Sequence, residues 1–123
     1  MELSIKQKNE LFTGIVLAQE LKATLEQTRR FITVRSFEIC DNKVKAWSKV
    51  LPTSYDDLNA VFAVRVYSIK SEYINLDVDE RDCSEHEYIG DIDSFEALYL
   101  VLKNYIDDFS GLIPQWNVDN PIE

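Results

Sequence analysis

Phe31-Ile32-Thr33-Val34-Arg35-Ser36-Phe37-Glu38-Ile39-Cys40 is the stretch that decides the fold. It is crowded with β-branched and aromatic residues, which pack well on a pleated surface and lose rotamer freedom in a helix. The composition predicts a strand over residues 31–40. Asp41-Asn42-Lys43 follows with turn chemistry, because Asp and Asn side chains bond their own backbone and Asn tolerates positive φ. Val44, Ala46, Ser48 and Val50 then alternate with Lys43, Lys45, Trp47 and Lys49, which predicts a second strand over residues 43–51 returning beside the first. The three lysines read as a solvated face or a guarded sheet edge. Pro52 closes this strand, and residues 53–58 read as a loop.

Working outward, residues 60–69 are almost continuously apolar apart from Arg65 and Ser68, the mark of a central strand, predicted over residues 60–70. Ile74, Leu76 and Val78 alternate with Tyr73, Asn75, Asp77 and Asp79, predicting a fourth strand over residues 73–79. Residues 80–90 read as a polar loop with a short extended piece at Tyr88-Ile89-Gly90. On the N-terminal side, Leu11, Ile15, Ala18, Leu21 and Leu25 recur at helical spacing and predict a helix over residues 5–29. Ser4 and Gln7 would form its capping box, and Gly14 is its weak point. On the C-terminal side, Phe95, Leu98, Val101, Leu102, Tyr105 and Ile106 predict a helix over residues 94–108. Asp93 is its expected cap with Glu96 three residues on, Gly111 its left-handed stop, and Pro114 a block to continuation.

The expected architecture is a single α+β domain over residues 1–123. It has a mostly antiparallel four-stranded sheet flanked by an N-terminal and a C-terminal helix. Phe62, Val64, Val66, Leu76, Leu98 and Leu102 are expected to share one core. A hydrophobic content of 46%, with only three Gly and three Pro, excludes disordered and collagen-like classes. A chain of 123 residues also buries roughly two-thirds of its unfolded surface without disulfides or structural metal.

The net charge is −9, a balance that phosphate backbones and anionic membrane surfaces repel. No nucleic acid and no membrane partner is expected. No apolar run approaches the roughly 18 residues of a membrane span, and Met1-Glu2-Leu3-Ser4-Ile5-Lys6 lacks the apolar stretch of a secretory signal. Cys40 and Cys83 read as reduced thiols, so a cytoplasmic location is expected.

The charge is unevenly spread. Residues 1–61 carry nine bases and eight acids, whereas residues 62–123 carry four bases and fourteen acids. Nine carboxylates fall within residues 77–96 against one base, Arg81. Such crowding opposes folding by self-repulsion unless solvent, metal or a partner offsets it.

Three uses for these carboxylates are open. For metal, Asp77-Val78-Asp79-Glu80-Arg81-Asp82 begins like a calcium loop, but Arg81 stands where an oxygen ligand is needed, Asp82 where Gly is needed and Tyr88 where a bidentate Glu is needed. Cys83 and His86 have the spacing of half a zinc site and lack a second pair. For catalysis, His86 is the only imidazole, no spacing selects a carboxylate pair, and the three glycines are isolated. No enzyme, metal site or cofactor is therefore expected. For binding, carboxylates at this density imitate a nucleic-acid backbone and pair with the Lys and Arg of a basic protein. The expected partner-binding residues are Asp77, Asp79, Glu80, Asp82, Glu85, Glu87 and Asp91, with Tyr88 and Trp116 as aromatic anchors.

The run Asp91-Ile92-Asp93-Ser94-Phe95-Glu96, the tail Trp116-Asn117-Val118-Asp119-Asn120-Pro121-Ile122 and the small, acidic, Gly-poor character resemble bacterial toxin-immunity proteins. That resemblance implies a protein that binds a cognate toxin, often a nuclease, and occludes its active site. The alternatives are a non-inhibitory interaction module of a larger complex and a carboxylate- or metal-dependent enzyme.

Overall fold

The computed structural model describes residues 2–40, 43–45, 60–76, 78, 80–119 and 121. Among them, helix α1 spans Ile5–Phe12 and α2 spans Phe95–Leu102. The strands are β1 (Leu17–Leu21), β2 (Thr28–Cys40), β3 (Lys43–Lys45), β4 (Ala60–Lys70), β5 (Glu85–Ile92) and β6 (Ile113–Pro114). Every pairing is antiparallel. The strand order is β5-β4-β2-β1-β6, and β3 folds back on the far end of β2. The α+β class and the antiparallel sheet are as the sequence predicts, but the sheet has more strands than four.

β2 and β4 pair over eleven positions, with Ile32 opposite Val66 and Val34 opposite Val64. Because side chains alternate along a strand, this register sorts them onto two faces. Ile32, Val34, Phe62, Val64 and Val66 lie on one face with Leu17 and Ile92, beneath Leu11 and Phe12 of α1 and Leu98 and Leu102 of α2. Both helices therefore cover the same face. The rings of Phe12, Phe62 and Phe95 interlock there, with centroids 4.9–6.3 Å apart. On the opposite face Phe31, Tyr67 and Ile69 form a smaller cluster, roofed by Tyr73, Ile74, Val78, Cys83 and Val118.

α1 begins as expected: Ser4 and Gln7 complete a capping box. The buried Gln7 amide also donates to the carbonyls of Phe109 (2.7 Å) and Leu112 (3.0 Å), tying the first helix to the C-terminal segment. Arg29 binds Glu20 through two hydrogen bonds and reaches Asp119 at 3.1 Å, so the β1–β2 hairpin holds the same segment from the other side. These hydrogen bonds, first of all that to Glu20, hold the guanidinium above its ordinary pKa.

Several boundaries depart from expectation. The helix predicted over 5–29 ends at Phe12, because Gly14 takes φ +87 and turns the chain; Leu17–Leu21 then pairs with β2 as β1. Leu25, expected on the helical stripe, is exposed in the β1–β2 loop. β2 starts at Thr28, three residues ahead of the expected strand.

The predicted strand over 73–79 is not a strand in its described residues. Ser71–Tyr73 is a 3-10 turn and Leu76 is 56% exposed, so Leu76 leaves the expected core while Phe62, Val64, Val66, Leu98 and Leu102 stay in it. The strand that pairs with β4 is β5, within the stretch read as a loop. Of the strand predicted over 43–51, residues 43–45 are β3; residues 46–51, the loop 53–58, Asp77 and Asp79 lie outside the described residues.

The last helix stops at Leu102 instead of reaching 108, and its cap is Ser94, whose hydroxyl accepts from the Ala97 N–H at 3.0 Å, in place of Asp93. Gly111 is not left-handed. The Gln19 side chain lies close to it: a Cβ there would sit 2.8 Å from Gln19 Oε1, so that side chain would have to shift.

Candidate functional site

Among the described residues β5 is an edge strand, and it concentrates the acidic residues that the sequence singled out. Its register places Glu85 opposite Ser68 and Glu87 opposite Val66, hence on the helix-covered face beyond the apolar core. His86 and Tyr88 project from the other face, opposite Tyr67 and Arg65. Asp82 ends the 3-10 turn that leads into β5, and Glu85, Glu87 and Asp91 are all exposed along the strand. Asp91 has φ +54 at an irregularity where the register with β4 shifts; an Asp tolerates this conformation better than most residues, and it bends the strand there.

Two of these carboxylates are held by side chains that the sequence reading did not assign to the site. The Tyr105 hydroxyl donates to Glu87 Oε2 at 2.7 Å. That hydrogen bond, assisted by burial, raises the Tyr105 pKa above its ordinary value. Arg30, on the same sheet face, stacks on the Tyr105 ring at 5.8 Å. Thr24 donates to Glu85 Oε1 at 3.3 Å and joins the β1–β2 loop to the edge strand. Beside that junction lies a cleft of about 450 Å³, lined by Leu25, Glu26, Thr28, Lys70, Glu72 and Ser84 among others. Glu26 and Glu72 are exposed, so the acidic strip continues from β5 into the rim of this cleft.

On the other face of β5, Tyr88 is 53% exposed and lies under the Arg65 guanidinium at 5.6 Å. The pair lines a smaller cavity of about 110 Å³ with Thr33 and Arg35. Basic groups therefore flank the aromatic side of the edge, and carboxylates flank the other.

The predicted site residues do not form one patch. Asp82, Glu85, Glu87, Asp91 and Tyr88 come together on or next to β5, with Tyr88 on the opposite face from the two glutamates. Glu80 lies in the preceding 3-10 turn. Asp77 and Asp79 lie outside the described residues. Trp116 is 67% exposed but sits in the turn after β6, which Gln115 N–H anchors to the Val16 carbonyl at 2.9 Å. Four inter-strand spacings, roughly 19 Å, separate that edge from β5.

Among the described residues no group of three or more His, Cys, Asp or Glu side chains is placed to hold a metal ion. No described helix is long and apolar enough to cross a membrane. Cys83 is half-buried against the Phe31–Tyr67 cluster. Compared with the models of known families, with curated proteins and with solved structures, the chain matches none.

Proposed function

We propose that this protein is a small cytoplasmic binding protein that neutralises a basic toxin, a nuclease in the leading case, by occluding its active site. The observation that carries the reading is the exposed row Asp82, Glu85, Glu87 and Asp91 on and beside one sheet edge, with Tyr105 and Thr24 orienting two of the four carboxylates. Fixed carboxylates bind Lys and Arg with less loss of side-chain freedom than mobile ones, and a one-sign surface speeds encounter with an oppositely charged partner. The resemblance to toxin-immunity proteins supports the same reading. Trp116 belongs to a separate surface and has no part in it.

The test is capture of the partner from the producing cell, followed by titration of that partner's catalytic activity with the purified protein. A basic partner inhibited at one-to-one stoichiometry is expected. A basic partner whose activity is untouched would replace this reading with that of a non-inhibitory module, and an acidic or neutral partner would remove the carboxylate edge from the function altogether.

A further inference from the structure

β5 closes one end of the strand order, and among the described residues no strand lies against its outer side. The outer side of an edge strand presents backbone N–H and C=O groups that the ladder to its neighbour does not use. From Glu85 to Ile89 the register with β4 is continuous; at Gly90 and Asp91 it shifts. The regular edge is thus Glu85–Ile89, about 17 Å long.

We propose that Glu85–Ile89 takes up an extended, basic segment of the partner as an added β-strand. This rests on the reading above that the partner is basic. The added strand places Lys or Arg side chains beside Glu85 and Glu87 on one face and an apolar or aromatic side chain beside Tyr88 on the other, following the alternation of β5 itself. Charge selects the occupant. A second copy of this chain docked edge to edge would bring its own Glu85 and Glu87 against the same pair, and like charges on neighbouring strands repel. The carboxylates that keep two copies apart admit a basic strand, so one feature supplies both exclusion and attraction. Backbone pairing gives the contact a directionality that a field of surface carboxylates lacks. The shift at Gly90 and Asp91 limits how many residues can pair.

The experiment uses the full chain, isotopically labelled, and two synthetic probes. One is the peptide Lys-Thr-Lys-Val-Lys-Thr-Lys; the other is its N-methylated counterpart, with the same side chains and charges but no backbone donors. Strand addition predicts that the first probe slows hydrogen exchange of amides within residues 85–89, and that the methylated probe binds at least roughly tenfold more weakly. The variant Glu85→Gln with Glu87→Gln keeps an acceptor for Tyr105 and should weaken the first probe on the order of tenfold at low salt, with unchanged circular dichroism. Equal binding of both probes without new amide protection overturns strand addition while leaving a basic partner in place. Absence of binding by either probe at millimolar concentration also overturns it; the wider reading then stands or falls on the inhibition titration. Protection of residues 85–89 by self-association of the unliganded chain overturns the choice of occupant.

Discussion

The Tyr105 hydroxyl donates to Glu87 across the gap between the chain that follows α2 and the edge strand β5, at 2.7 Å. Replacing Tyr105 with Phe removes that donor and leaves an exposed carboxylate that water can solvate. The expected loss of stability is about 1 kcal/mol, read by chemical denaturation near neutral pH.

The same bond carries a pH dependence of definite sign. Glu87 raises the Tyr105 pKa by favouring the protonated phenol. A group with a raised folded pKa contributes its full stabilisation below the unfolded value and loses it as pH climbs, because the unfolded chain releases the proton first. Stability should therefore fall across a window that opens near pH 10, the ordinary phenol value, and Tyr105→Phe should fall less steeply over it. Tyr99, raised mainly by burial, would account for part of the fall that remains in the variant. Denaturation midpoints at the two ends of the window check this, and parallel losses in both proteins would contradict it.

Gly14 separates the two readings of the N-terminal segment. Were it inside a helix running to residue 29, Gly14→Ala would stabilise the protein by about 1 kcal/mol. The structure gives it φ +87 at the turn after α1, with no atom within 4 Å of an added Cβ. An alanine there meets empty space but an unfavourable backbone, so the variant should lose about 1–2 kcal/mol. The sign of the change in thermal midpoint decides the matter.

That residue also explains what was legible in the sequence. Continuous β-branched runs announced β2 and β4, because a buried central strand leaves no room for other patterns. The segment Leu17–Leu21 carried apolar residues that fit helical and extended spacing equally, and only pairing with β2 resolved it. β5 was hidden for a different reason. As an edge strand its side chains are mostly exposed, so Glu85-His86-Glu87-Tyr88 shows no buried face, while Ile74 and Val78, which roof the Phe31–Tyr67 cluster from a loop, imitate strand alternation. The clustering of carboxylates was visible in the chain. Their orientation by Tyr105 and Thr24 was not, since those residues are distant in sequence and Tyr105 read as one more apolar position.

Leu98 and Leu76 make a matched pair for testing the core. Leu98 is fully buried on the inner face of α2, whereas Leu76 is largely exposed beyond the 3-10 turn. Leu98→Ala should cost about 2–5 kcal/mol. Leu76→Ala should stay within about 0.5 kcal/mol. Urea denaturation of both variants measures the difference, and comparable losses would place Leu76 back in the core.

Gln7 is the buried polar residue on which the C-terminal segment hangs. Gln7→Ala removes the donor to the Phe109 and Leu112 carbonyls and half of the capping box, although the Phe109 carbonyl keeps the Leu112 N–H at 3.1 Å. The expected loss is about 1–3 kcal/mol, larger than for an ordinary cap because the Leu112 carbonyl also loses its buried side-chain donor. Hydrogen exchange should quicken from Ile106 to Pro114 before it does in β2 or β4, since those strands keep their ladder. Uniform quickening across the sheet would mean that Gln7 supports the whole domain instead of this segment.

The last expectation concerns the carboxylates themselves. Asp82→Asn, Glu85→Gln and Asp91→Asn together remove three negative charges from a stretch already dense in them, and spare Glu87 for Tyr105. Asn at position 91 keeps the left-handed conformation that the irregularity demands. Folding should be unchanged or slightly more stable, because self-repulsion is relieved. Association with the captured basic partner should slow several-fold at low salt and differ little from the parent protein at high salt, where the charges are screened in both. Dissociation should change less, since backbone pairing and apolar contacts govern it. Stopped-flow association at two ionic strengths reads both effects, and an unchanged rate at low salt would move the interface away from β5, leaving the exposed Trp116 turn as the surface to examine next.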